Sequence, residues 1–137
     1  MRLKDETGSA SVELALVAPS LLILLAVMLA GARLVESKSA VASVAREVAR
    51  AAAAEPNLEA AIEHGDSAGR REASALGLDL SRLSIVQAPG LFERGARYSV
   101  TVSYGTRLSD LPGFGLFPKL MTVTSEHVET VERYKSR

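Results

Sequence analysis

Apolar and polar positions divide the chain into three zones. From residue 14 to residue 32 no charged side chain interrupts the sequence, with Glu13 before the run and Arg33 after it. A helix over these 19 positions is about 28 Å long, close to the roughly 30 Å hydrocarbon core of a bilayer. It has no polar face, unlike an amphipathic helix lying on a soluble core. Residues 33–54 change character. Leu34, Val41 and Val48 recur every seven positions, and Val44, Ala45 and Ala52 fill the same face. Arg33, Ser43, Arg46, Glu47 and Arg50 are left for the opposite side. The helix is expected to stop at Glu55-Pro56, because a residue before proline avoids the α region.

Residues 57–76 read as a second helical region. Asn57 is placed to cap it, Leu58, Ala61, Ile62 and Ala68 give it partial apolar spacing, and Gly77 ends it. Gly65 is read as a possible divider and His64 as a solvated helix-end residue. Beyond Leu80 the period changes from helical to two. Residues 83–87 form one candidate strand, closed by Pro89-Gly90. Residues 97–104 form the clearest one, with Tyr98, Val100, Val102 and Tyr104 alternating with Ser99, Thr101 and Ser103. Residues 120–131, rich in valine and threonine, form the third. Three strands with one apolar face need a cover, and the 34–52 stripe supplies it. The expected class is α+β: a long N-terminal membrane-spanning helix, continuing as an amphipathic stem, packed on a small antiparallel sheet of about three strands. Residues 111–118 make an apolar, turn-rich loop. It is expected to fold over the sheet edge, with partner docking or contact with the outer membrane face as alternatives.

Composition narrows the function. The 137 residues carry 16 basic and 16 acidic side chains and no cysteine. Balanced charge gives no footprint for nucleic acid. Disulfides, thiolate catalysis and cysteine-ligated metals are excluded. Aromatic side chains are 4% of the chain, which argues against a large aromatic pocket for a small-molecule substrate. His64 and His127 belong to no H-E-x-x-H motif, and no G-x-S-x-G elbow or phosphate-binding glycine loop is present. Glu126, Glu129 and Glu132 surround His127 in sequence, but on a strand Glu126 and His127 point to opposite faces. The expectation is a protein that is not an enzyme and takes no cofactor or metal.

Processing leaves three readings. Ala30-Gly31-Ala32 has the form of a signal peptidase site, whose use would release a soluble binding domain beginning at Arg33. The apolar run is longer than the usual signal core, and Asp5, Glu6 and Glu13 sit where a signal peptide is basic. In the second reading the chain is cut after Gly8, the helix is retained and Ser9 becomes the first residue. In the third it is an uncleaved single-span anchor. Arg2 and Lys4 before the run balance Arg33 and Lys38 after it, so size rather than charge sets orientation. The short start is cytoplasmic and the remainder exported.

The sequence Gly8-Ser9-Ala10-Ser11-Val12-Glu13-Leu14-Ala15-Leu16-Val17-Ala18-Pro19 resembles the start of the TadE-like proteins of tight-adherence (Tad) pili, within the type IV pilin and pseudopilin group. The resemblance covers roughly residues 7–54. It implies a leader over 1–8 cut by a prepilin peptidase between Gly8 and Ser9, a transmembrane and assembly helix over 9–32, and an extracytoplasmic domain over 33–137. Glu13 falls at the fifth mature position, where the group carries its glutamate. The implied function is that of a minor pilin or pseudopilin in the cytoplasmic membrane, with transfer to an extracellular pilus as a further expectation. Implied partners are membrane lipid, other pilin subunits, the peptidase, and a secretion ATPase with its membrane platform. Pro19 removes the amide that would bond the Ala15 carbonyl and marks a place where the helix can bend. Ala26 and Ala30, four apart with Gly31 adjacent, suit close helix packing.

Overall fold

The computed structural model describes residues 6–90, 92, 93, 95–107 and 121–131. Helix α1 spans Glu6–Ala53 without interruption and contains Pro19. At 1.5 Å per residue it is about 72 Å long. It begins three residues ahead of Ser9, so the Gly8–Ser9 junction lies within helix. It ends just before Glu55-Pro56, as the proline requires.

Helix α2, Leu58–Ala75, starts on Asn57, whose side chain accepts the Ala60 amide at 2.9 Å. It ends where Gly77 takes φ +72°, a conformation that glycine adopts without steric cost. A short 3-10 turn, Leu80–Arg82, leads into strands β1 (Leu83–Ala88), β2 (Arg97–Thr106) and β3 (Met121–Thr130). They form one antiparallel sheet in the order β1-β2-β3, with Ile85 opposite Val102 and Val102 opposite Ser125. The expected α+β, pilin-like arrangement is the observed one. Leu120 and the 111–118 loop lie outside the described residues.

Alternation along β2 sends Tyr98, Val100, Val102 and Tyr104 to one face, where all are buried. Val41, Val44, Ala45, Val48, Ala49 and Ala52 of α1 cover that face over β2 and β3. Helix α2 runs back beside α1 and leans on β1.

Alanine and glycine decide how closely the two helices approach. The buried face of α2 is Ala61, Gly65, Ala68, Gly69 and Ala73. A methyl group on Gly69 would collide with Val48 Cγ2 and stand 3.0 Å from Ile85 Cδ1. One on Gly65 would lie 3.3 Å from both the Val48 carbonyl oxygen and Ala52 Cβ. Gly65 therefore does not divide the helix; it lets α1 come near. The same geometry turns Leu58 and Ile62 outward, where both are exposed. His64 sits within α2 rather than at its end, and its Nδ1 contacts the Glu55 carboxylate. Ser43, assigned to the solvent side by pattern, instead donates to Glu72 Oε1 of α2 at 3.0 Å.

One polar relay ties three elements together. The buried Tyr98 hydroxyl donates to Gln87 Oε1 at 2.5 Å, and Gln87 Nε2 donates to the Ile62 carbonyl at 3.0 Å. Burial raises the Tyr98 pKa, so the phenol stays protonated and remains a donor at neutral pH. Phe92 packs edge-on against the same ring, with centroids 5.8 Å apart.

The contact at Gly69 can be tested directly. Gly69→Ala gains up to about 1 kcal/mol of helix propensity but overpacks a site filled by Val48, at a cost of about 1–3 kcal/mol. A net loss of stability is expected, read as a lower Tm by circular dichroism on the full chain in detergent. An unchanged or higher Tm would show that α2 has room to move away from α1.

Candidate functional site

Along α1 the surroundings change without a change in backbone. Residues 11–40 contain no buried side chain, whereas Val41, Val44, Ala45, Val48, Ala49 and Ala52 are fully buried. The exposed part includes Leu16, 73% accessible, Leu22, 65% accessible, and large apolar side chains on every side of the helix. A contiguous apolar surface of this size marks a membrane or protein contact. Among the described residues, α1 is the one helix long and apolar enough to cross a membrane, and none of its most apolar window is buried. Its length and composition suit a single-pass anchor.

The site residues expected from sequence all lie on this helix. Gly8 and Ser9 are in its first turns. Glu13 is exposed and makes no ion pair or hydrogen bond with a described residue. No basic side chain lies three or four positions from it, so the helix itself offers no partner. Pro19 is exposed inside the continuous helix. Ala26 and Ala30 are half-buried among their own larger neighbours. A methyl group on Gly31 would meet nothing within 4 Å. Small residues thus leave a shallow strip on an otherwise bulky cylinder, and none of the described elements fills it.

On the sheet, His127 Nε2 is 3.3 Å from Glu129 Oε2 on the helix-covered side. Glu126, on the opposite face, accepts the Ser99 hydroxyl at 2.9 Å. Glu126 and His127 therefore do not converge.

Pattern reading missed one grouping. Folding brings Arg82, Tyr104, Thr106 and Arg107 beside Arg33 and Glu36, around a cavity where the head meets the exposed stem. These residues come from three separate stretches of chain. The one local signal was that Arg33 follows directly on the apolar run.

The stem's exposure yields a test. Ile23, near the middle of the run, is 65% accessible. Replacing it with arginine costs about 3 kcal/mol or more in membrane insertion. Ile23→Arg is expected to lower the carbonate-resistant membrane fraction while leaving the melting of the head unchanged. A loss of head stability with normal membrane association would show that the run packs on protein instead.

Neither the curated proteins nor the solved structures contain a match to the chain. The family described as TadE-like protein matches residues 8–50, which are the apolar stem and the first turns of its buried continuation. Over that segment the chain is similar to TadE-like proteins.

Proposed function

We propose that the protein is a minor pilin or pseudopilin of a Tad-type pilus, anchored in the cytoplasmic membrane by α1 and acting in pilus assembly. The observation carrying this reading is the coincidence of the TadE-like match with a helix that has no buried side chain from residue 11 to 40 and no charged one from 14 to 32. A helix of this kind requires either lipid or like helices around it. A subunit that is inserted first and assembled later uses both environments in turn. In this reading the short N-terminus is cytoplasmic, the head is outside, and a prepilin peptidase cuts between Gly8 and Ser9. A secretion ATPase and its membrane platform drive assembly with other pilin subunits.

Glu13 supplies the assembly chemistry. In the membrane it lies near the helix end, where water and headgroups reach it. Among packed helices it loses them, and an unpaired buried carboxylate is strongly unfavourable. The α-amine of Ser9 on a neighbouring subunit, created by the cut and largely cationic near neutral pH, satisfies it. Such a pair fixes axial stagger in the way a polar core residue fixes coiled-coil register. The Ala26 and Ala30 strip admits close approach of the adjoining helix.

Amino-terminal sequencing of the exported protein decides the processing. Ser9 is the expected first residue. Arg33 would identify a soluble secreted domain, and retention of Met1 an uncleaved anchor. Glu13→Ala is expected to be inserted and cut normally but to lose most of its incorporation into cross-linkable oligomers, since an unmet buried amine costs on the order of 3–5 kcal/mol. Normal incorporation of that variant would remove the pairing from the mechanism.

A further inference from the structure

The junction of stem and head encloses a cavity of about 210 Å³. A water molecule takes up about 30 Å³ of liquid, so the space admits a small polyatomic group. Arg33 and Glu36 of α1, Arg82 of the 3-10 turn, and Tyr104, Thr106 and Arg107 at the end of β2 line it. The chemistry of this lining is lopsided. Of the eleven residues around it three are arginines, and Glu36 is the one carboxylate among them.

Two of its polar atoms are buried without a hydrogen bond to any described residue: Arg82 Nε and Thr106 Oγ1. They are the two atoms of that kind among all the described residues, and both line this cavity. Thr106 is only 6% accessible. Arg82 Nε lies 3.1 Å from Asp79 Oδ2, close enough for an ion pair but not aligned as a hydrogen bond. The Asp79 carboxylate is occupied by the Ser81 hydroxyl and amide, at 2.7 and 3.0 Å. These bonds, more than Arg82 and Arg107, keep its pKa low. Tyr104 Oη accepts the Asp79 amide at 3.4 Å, which leaves its own hydrogen for an acceptor in the cavity. Arg33 and Arg107 have no hydrogen bond or ion pair with a described residue. A buried polar group left unpaired costs about 1–3 kcal/mol, so such atoms call for a partner.

We propose that this cavity is a binding site for a phosphate-type oxyanion, filled by the phosphodiester of an anionic lipid. Guanidinium groups match such an anion by paired N–H donors, and hydroxyls complete its shell. The position favours the lipid as the source, a point that rests on α1 being a membrane anchor. Arg33 follows the last residue of the apolar run. The polar layer of a bilayer is about 5–8 Å deep on each side. Residues 33–37 rise about 6 Å along the helix, which puts the mouth of the cavity at headgroup depth. A bound headgroup would clamp the head against the membrane surface by bridging α1, the 3-10 turn and β2.

The test uses the purified full chain in two arms. In one, it is incubated in detergent with phosphatidylglycerol or phosphatidylcholine, and retained lipid is counted by native mass spectrometry. In the other, inorganic phosphate is titrated against thermal unfolding. Carbonate extraction of the same protein from phosphatidylglycerol vesicles is run alongside. Wild-type protein is expected to retain phosphatidylglycerol over phosphatidylcholine. Arg107→Gln and Arg82→Gln are each expected to reduce that retention about tenfold. Arg107 is exposed, so its variant keeps the fold even if that of Arg82 does not. Thr106→Val is the sharper probe, because it removes a buried unpaired hydroxyl. It should weaken retention without lowering the Tm of the lipid-free protein, which a purely structural threonine would not do.

Stabilisation by phosphate without preference for phosphatidylglycerol would leave the oxyanion site standing and overturn the lipid as its ligand. Equal retention of both lipids by wild type and variants, with no response to phosphate, would overturn the site. A wild-type protein fully extracted by carbonate would instead overturn the membrane anchor, and the phosphate arm would still judge the cavity.

Discussion

Everything in this fold depends on one helix meeting two different surroundings. The backbone of α1 is unbroken from Glu6 to Ala53, yet none of its side chains from residue 11 to 40 is buried, whereas Val41, Val44, Ala45, Val48, Ala49 and Ala52 are packed to complete burial. The exposed half cannot be stable in water as a bare apolar cylinder. The buried half cannot leave the head, because it forms most of the cover over β2 and β3. The two halves therefore tie the position of the head to the fate of the stem. Whatever surrounds the apolar run, lipid or like helices, also sets where the head stands.

The head is held by small residues rather than large ones. Alanine and glycine line the contact of α2 with α1, and they gain stability through proximity, since each buries little area itself. Close approach leaves no room for water between the helices. The few polar groups there must find each other, as Ser43 finds Glu72 and Gln87 bridges Tyr98 to Ile62. Such bonds specify one relative position of the elements, which apolar contacts between near-featureless alanine faces do not.

Much of this was legible in the sequence where a period was clean. The 14–32 run, the break at Pro56, the Asn57 cap, the Gly77 stop and the alternation from Tyr98 to Tyr104 each rest on one local rule, and each element stands where that rule puts it. Legibility failed where small residues carried the packing. Leu58 and Ile62 looked inward by hydropathy, but the glycines on the other face of α2 offered the closer approach. Ser43 looked solvent-facing because its partner is 29 residues away in sequence. The arginines at the base of the head could not be grouped by any spacing, since three separate elements deliver them to one place.

The continuity of α1 through residues 33–41 has a geometric consequence. No hinge, proline or glycine lies between the apolar run and the packed segment. An α-helix turns 100° and climbs 1.5 Å with each residue. The compass bearing of the sheet is therefore indexed to the strip formed by Ala26 and Ala30, like a flag keyed to its pole. Adding or deleting a single residue in this neck would swing the sheet by more than a quarter turn about the stem, with hardly any change in height.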